Sequence, residues 1–188
     1  EVRVMGFRAR RATQRLMMMV SHPGYAPQFA AEGAEGLIAT GADVNVLMPE
    51  EMSPLAHTSI WGNTSVAEVL LNHGADPNGN ATRSRIPLAI AAQNGHDVMV
   101  GLLLAQGADV DAQDLSGWTA LHHAVGPDVA RRSNVIETLL SHGADPRITD
   151  RYGTTPLGSF TEMVRVLAGR PPFGRETQAD RDRENRAL

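Results

Sequence analysis

The chain contains no cysteine. A disulfide scaffold, a thiolate zinc site and a cysteine nucleophile are therefore excluded. Lysine is absent too, since all 17 basic residues are arginine. Schiff-base chemistry and a phosphate-loop lysine go with it. Aromatic residues make up only 4%, which is little for a β-sandwich and points to small aliphatic packing. The longest apolar run near the start, Leu16-Met17-Met18-Met19-Val20, is too short for a membrane span or a secretory core. No membrane association is expected, and a cytoplasmic location is. Motifs for nucleophilic or metal catalysis are also missing: there is no Gly-x-Ser-x-Gly, no His-Glu-x-x-His and no glycine-rich phosphate loop.

What is present fits one folded unit. The 188 residues suit a single compact domain or a short repeat array, and 42% hydrophobic against 20% charged residues favours folding over disorder. Net charge is −4, and it is unevenly spread. Residues 1–20 carry five arginines and one glutamate, whereas residues 21–80 carry seven acids and no arginine. A nucleic-acid surface needs a continuous basic stripe, and the acidic block would repel a duplex, so no nucleic-acid partner is expected.

The informative feature is an internal repeat. Gly-Ala-Asp occurs at 41–43, 74–76, 107–109 and 143–145. Upstream of the later copies stand Ser53-Pro54-Leu55, Ile86-Pro87-Leu88 and Thr119-Ala120-Leu121, and Thr155-Pro156-Leu157 follows without a further Gly-Ala-Asp. Ser53 and Thr155 can cap helices, and proline fits the first helical position, where no N–H is needed. The Ala-rich run from Leu88 to Ala92 lets a neighbouring helix approach closely. Gly95 ends that helix, and Gly74, Gly107 and Gly143 end second helices spanning about 66–71, 98–104 and 135–140. Each following aspartate can bond turn amides. Val110 to Trp118 has no helical period and reads as a turn or hairpin.

These residues resemble the ankyrin repeat family. The unit from Ile86 through His96 and Leu102-Leu103-Leu104 to Asp111 follows its pattern, and so does Asp114 to His122. The resemblance covers about residues 37–168. It implies an all-α solenoid of stacked helix-turn-helix units joined by short hairpin loops. Residues 1–43 read as a basic segment plus a degenerate first unit that keeps only its second helix. Residues 44–169 read as three regular units and a truncated cap. Residues 170–188 read as a polar tail. Ser84 stands where glycine is usual in the hairpin, Ala120 replaces proline, and 126–133 is an insertion carrying Arg131 and Arg132.

Two constellations invite a metal reading, and neither sustains it. Asp109, Asp111 and Asp114 lack the glycine and glutamate of a calcium loop, so Asp109 and Asp111 are expected to satisfy turn amides. Among the seven histidines, His122 and His123 point about 100° apart on a helix. The resemblance makes His122 a buried histidine tying neighbouring turns. His73 and His142 suit helix C-termini, and His96 lies in an inter-helix turn. No metal and no cofactor are expected. Asn63-Thr64-Ser65 and Asn80-Ala81-Thr82 match the glycosylation pattern, with no secretory signal to support its use.

The resemblance implies protein binding through hairpin tips and the concave side of the first helices. By position the tips offer Glu50 and Met52, then Arg83 and Arg85, then Leu115, Ser116 and Trp118, then Arg151, Tyr152 and Thr154. The helices offer Ile60, Trp61, Gln93 and Asn94. Trp, Tyr and Arg are enriched at binding hot spots. Against this, Trp118 can simply pack across its hairpin, and Trp61 can close a packing gap. Arg8, Arg11 and Arg15 are expected to solvate the first unit's outer face, with an acidic surface as the other option. The expected function is therefore non-catalytic protein–protein recognition by a monomeric adaptor. The alternative is a regulatory or targeting segment of a larger enzyme, motivated by a chain that begins at Glu1 rather than Met.

Overall fold

The computed structural model describes residues 2–21, 27–47, 52–79, 85–126 and 132–167. Among them are nine helices and no strand: α1 (Val2–Val20), α2 (Pro27–Ala39), α3 (Pro54–Trp61), α4 (Thr64–Asn72), α5 (Pro87–Asn94), α6 (Asp97–Ala105), α7 (Ala120–Ala124), α8 (Ser133–Ser141) and α9 (Pro156–Leu167). They stack in two rows. Helices α1, α3, α5, α7 and α9 form the inner row, and α2, α4, α6 and α8 the outer row. This is the helical solenoid that the repeat implied. No described helix is long and apolar enough to cross a membrane.

The punctuation residues act as the sequence suggests. Ser53 Oγ accepts the Ala56 N–H, and Thr155 Oγ1 accepts that of Gly158. Pro54 and Pro87 open their helices. Gly62 and Gly95 close α3 and α5 with φ of 68° and 76°, in the left-handed region that other residues avoid. The core is a continuous aliphatic stripe. Leu55, Leu88 and Leu121 are buried in the inner row, and Leu70, Leu103 and Leu139 in the outer row.

A hydrogen-bond ladder joins the units at the foot of each hairpin. The Asp76 N–H donates to Asn45 Oδ1, the Asp109 N–H to Asn78 Oδ1, and the Asp145 N–H to Asp111 Oδ1. Asp43, Asp76, Asp109 and Asp145 each also accept the N–H two residues on, at Asn45, Asn78, Asp111 and Arg147. Asp109 and Asp111 are thus turn residues. The ladder ends at Arg147, whose guanidinium has no acceptor to offer and donates instead to Asp145. Hydrogen bonds from the Arg147 side chain and then its backbone N–H hold the Asp145 carboxyl at about 2.

The first unit differs from expectation. Residues 11–43 hold more than a second helix, because α1 occupies the inner-row place beside α2 and α3. Its apolar side buries Ala12, Leu16, Met19 and Val20. Thr13 Oγ1 accepts the Asp43 N–H and so starts the ladder where later units use Asn45, Asn78 and Asp111. The arginine spacing reads as a basic helix, but without proline or its own Gly-Ala-Asp it carries no repeat mark that assigns it to the inner row. At the insertion, 127–131 lie outside the described residues, and Ser133 already belongs to α8. The tail from residue 168 is outside them too.

Candidate functional site

The two hairpin tips that lie wholly among the described residues are built alike. In one, Asp114 Oδ1 accepts the N–H groups of Ser116 and Trp118, and the Gly117 N–H donates to Asp114 O. In the next, Asp150 Oδ1 accepts from Tyr152 and Thr154, and Gly153 donates to Asp150 O. One carboxylate thus folds each turn around a glycine with φ near 80°.

The tips are clamped side by side. The Arg151 N–H donates to Ser116 O at 3.2 Å. Trp118 Nε1 donates to Asp150 Oδ2 at 3.1 Å, and the Gln113 amide donates to both Gly117 O and Thr149 O. A side chain at Gly117 would place its Cβ 2.9 Å from the Arg151 nitrogen, so the close approach requires glycine. Burial pushes the Asp150 carboxyl up. The Thr154 and Tyr152 N–H groups, the Trp118 indole and His122 outweigh it and hold it below the usual carboxylate range.

Beneath the tips lies a ring cluster. His122 is buried, its Nδ1 accepting the Thr119 N–H and its Nε2–H donating to Thr154 O of the next unit. Both ring nitrogens are thus committed, with Nδ1 unprotonated. Burial holds this imidazole below its ordinary pKa. Trp118 stacks on His122 at 6.1 Å and meets His123 edge-on at 5.2 Å. His123 Nε2 lies 3.0 Å from Asp114 Oδ2. The imidazole of His122 is therefore a tie between units.

The other candidate residues divide into three sets. Leu115, Arg151 and Tyr152 sit together on the clamped tips and face solvent, with Leu115 64% and Tyr152 80% exposed. Trp118 is half-buried and belongs to the clamp that aims them. Trp61, Gln93 and Asn94 form a separate exposed group at the C-terminal ends of the neighbouring helices α3 and α5. Arg85 is exposed, while Arg83, Glu50 and Arg131 lie outside the described residues. Met52 requires a correction: it is 3% exposed and belongs to the core, so it offers nothing at a tip. The residue directly before the Ser53 cap faces inward.

Sequence reasoning left three features unassigned. His96 Nε2–H donates to Ile60 O across units at 3.0 Å, and Gly62 leaves the space for its ring. His123 pairs with Asp114. The acceptor ladder was available as a signal, because Asn45, Asn78 and Asp111 each stand two residues after a repeat aspartate. His73 and His142 each donate from Nδ1 to the carbonyl four residues back, at the helix ends where the sequence placed them. Among the described residues no cluster of three or more histidines and carboxylates is placed to hold a metal.

The family of ankyrin repeats (three copies) matches residues 25–114 and 88–170. The chain belongs to the ankyrin repeat family. Such repeats are in general protein–protein interaction modules. The ankyrin repeat protein YahD of Escherichia coli (strain K12) is 33% identical over 66 residues, 31% of this chain and 33% of that protein. The 2-5A-dependent ribonuclease of Mus musculus is 48% identical over 44 residues, 23% of this chain and 6% of the nuclease. The match thus spans about a third of one relative and a small part of the other.

Proposed function

We propose that this ankyrin array is a non-catalytic recognition module that docks a partner protein on its hairpin tips and inner-helix ends. The observation that carries the reading is the clamped pair of tips. Two turns held by shared hydrogen bonds present Leu115, Arg151 and Tyr152 as one pre-ordered patch. A rigid aromatic on a locked turn loses little entropy on binding, which favours affinity. Tyr152 and Leu115 would supply apolar burial, and Arg151 and Arg85 would orient an acidic or mixed segment. Trp61, Gln93 and Asn94 would extend the contact along the inner row. The proposed site of action is the cytoplasm and the proposed state a monomer.

The test is a tagged pull-down with wild type and the L115A/Y152A variant, whose fold is first checked by circular dichroism. A protein retained by wild type and lost by the folded variant supports the tips as the site. Equal retention by both places recognition elsewhere. A second reading, a regulatory segment of a larger enzyme, has one observation in its favour. The stretch similar to the mouse nuclease is 6% of that longer protein.

A further inference from the structure

Helix α1 carries an unusual charge pattern. Arg8, Arg11 and Arg15, at three- and four-residue spacing, lie on one exposed stripe about 10 Å long. Arg10 is exposed beside it, and Met18 continues the stripe at 60% exposure. The helix contains no acid. Among the described residues the ion pairs are His123–Asp114 and Arg147–Asp145, so no described carboxylate pairs with these arginines. The adjoining face, with Ala12 and Leu16, is locked into the array. The helix is therefore held rigid, with Arg8, Arg11 and Arg15 exposed on it.

We propose that this stripe docks a short acidic helical segment of a partner protein, with carboxylates at matching three- and four-residue spacing and an apolar residue over Met18. Guanidinium groups take carboxylates in bidentate fashion, which rewards register as well as charge. Two other anionic partners fit less well. A membrane-surface helix needs its apolar side free to enter lipid, and that side of α1 is already buried in the array. A duplex would extend past the stripe onto the acidic block of residues 21–80, where Glu32 and Glu35 are exposed on α2.

The surface is separate from the hairpin tips, so its test is independent of the proposed function. The probe is a fluorescein-labelled peptide of about fifteen residues, with glutamate at alternating three- and four-residue spacing and leucine near one end. Fluorescence anisotropy follows its binding to the full chain. Wild type should bind it at about 50 mM salt, and roughly tenfold more weakly at about 200 mM. The R11E/R15E variant, checked by circular dichroism, should lose at least about tenfold. A peptide of the same composition with its glutamates in one block should bind several-fold more weakly. The L115A/Y152A variant should bind like wild type. Undiminished binding by R11E/R15E, equal binding of the block peptide, or no wild-type binding at low salt would overturn the proposal. So would preference for a short DNA duplex or for vesicles one-third phosphatidylserine in phosphatidylcholine.

Discussion

Single residues decide how the tips are held. His122 has both ring nitrogens engaged; its replacement leaves the buried Thr119 N–H without its acceptor and takes one of two donors from the Thr154 carbonyl, which keeps the Asp150 N–H. His122→Ala should cost about 2–4 kcal/mol in urea unfolding, the range for stranded buried polar groups plus a cavity. The same ring gives a pH dependence. Its folded pKa lies below the ordinary 6.5, with burial the largest cause. The unfolded chain therefore binds the proton first as pH falls. His122's contribution is complete above about 6.5 and is lost as pH drops from there towards the folded value. Wild type should lose stability between pH 7 and 5 more steeply than His122→Gln, and parallel urea midpoints would contradict this. Gly117 is a second such residue. Gly117→Ala adds positive-φ strain and a clash with the next tip, so about 2 kcal/mol or more is expected. Gly107→Ala, also at positive φ but with open space around its Cβ, should cost only about 1 kcal/mol by the same measurement.

At the scale of elements, stability comes from contacts between units as well as within them. The ladder residue Asn78 links one hairpin foot to the next, and Asn78→Ala should cost about 0.5–1.5 kcal/mol. Asn78→Asp keeps the acceptor and should cost less, which separates the hydrogen bond from mere packing. What was legible in the sequence follows from the same physics. Proline, glycine and the capping hydroxyls mark helix ends locally, so α3 to α6 could be placed from their punctuation. The tie between His122 and the next turn was legible only through the family resemblance. The three- and four-residue spacing of Arg8, Arg11 and Arg15 reads as a basic N-terminal helix, but its inner-row place was not legible, because no hairpin or proline marks it as the first helix of a unit. Met52 was misplaced because position in a repeat names a tip without saying which way a side chain faces. The clamp of Trp118 onto Asp150 joins residues 32 apart in the chain, and no local pattern announces such a contact.

For the whole molecule, the order of loss should follow neighbour contacts. Central helices α4 and α5 are covered on both sides, whereas α9 has no described unit beyond it. Leu157 stands in the repeat position of the buried Leu55, Leu88 and Leu121, yet it is 70% exposed. Amide exchange should therefore be slowest in α3 to α6 and fastest in α9. Uniform protection along the array would contradict nearest-neighbour stacking. The same stacked architecture presents extended surfaces, and under the proposed reading the clamped tips are what a partner would meet. The most direct measurement places a photo-crosslinking amino acid at position 152, at position 115, or at Glu68 on the outer helix α4, and irradiates each folded variant in lysate. Recognition by the tips predicts one shared partner band from positions 152 and 115 and none from 68. Crosslinking from 68 alone, with 152 and 115 silent, would contradict it.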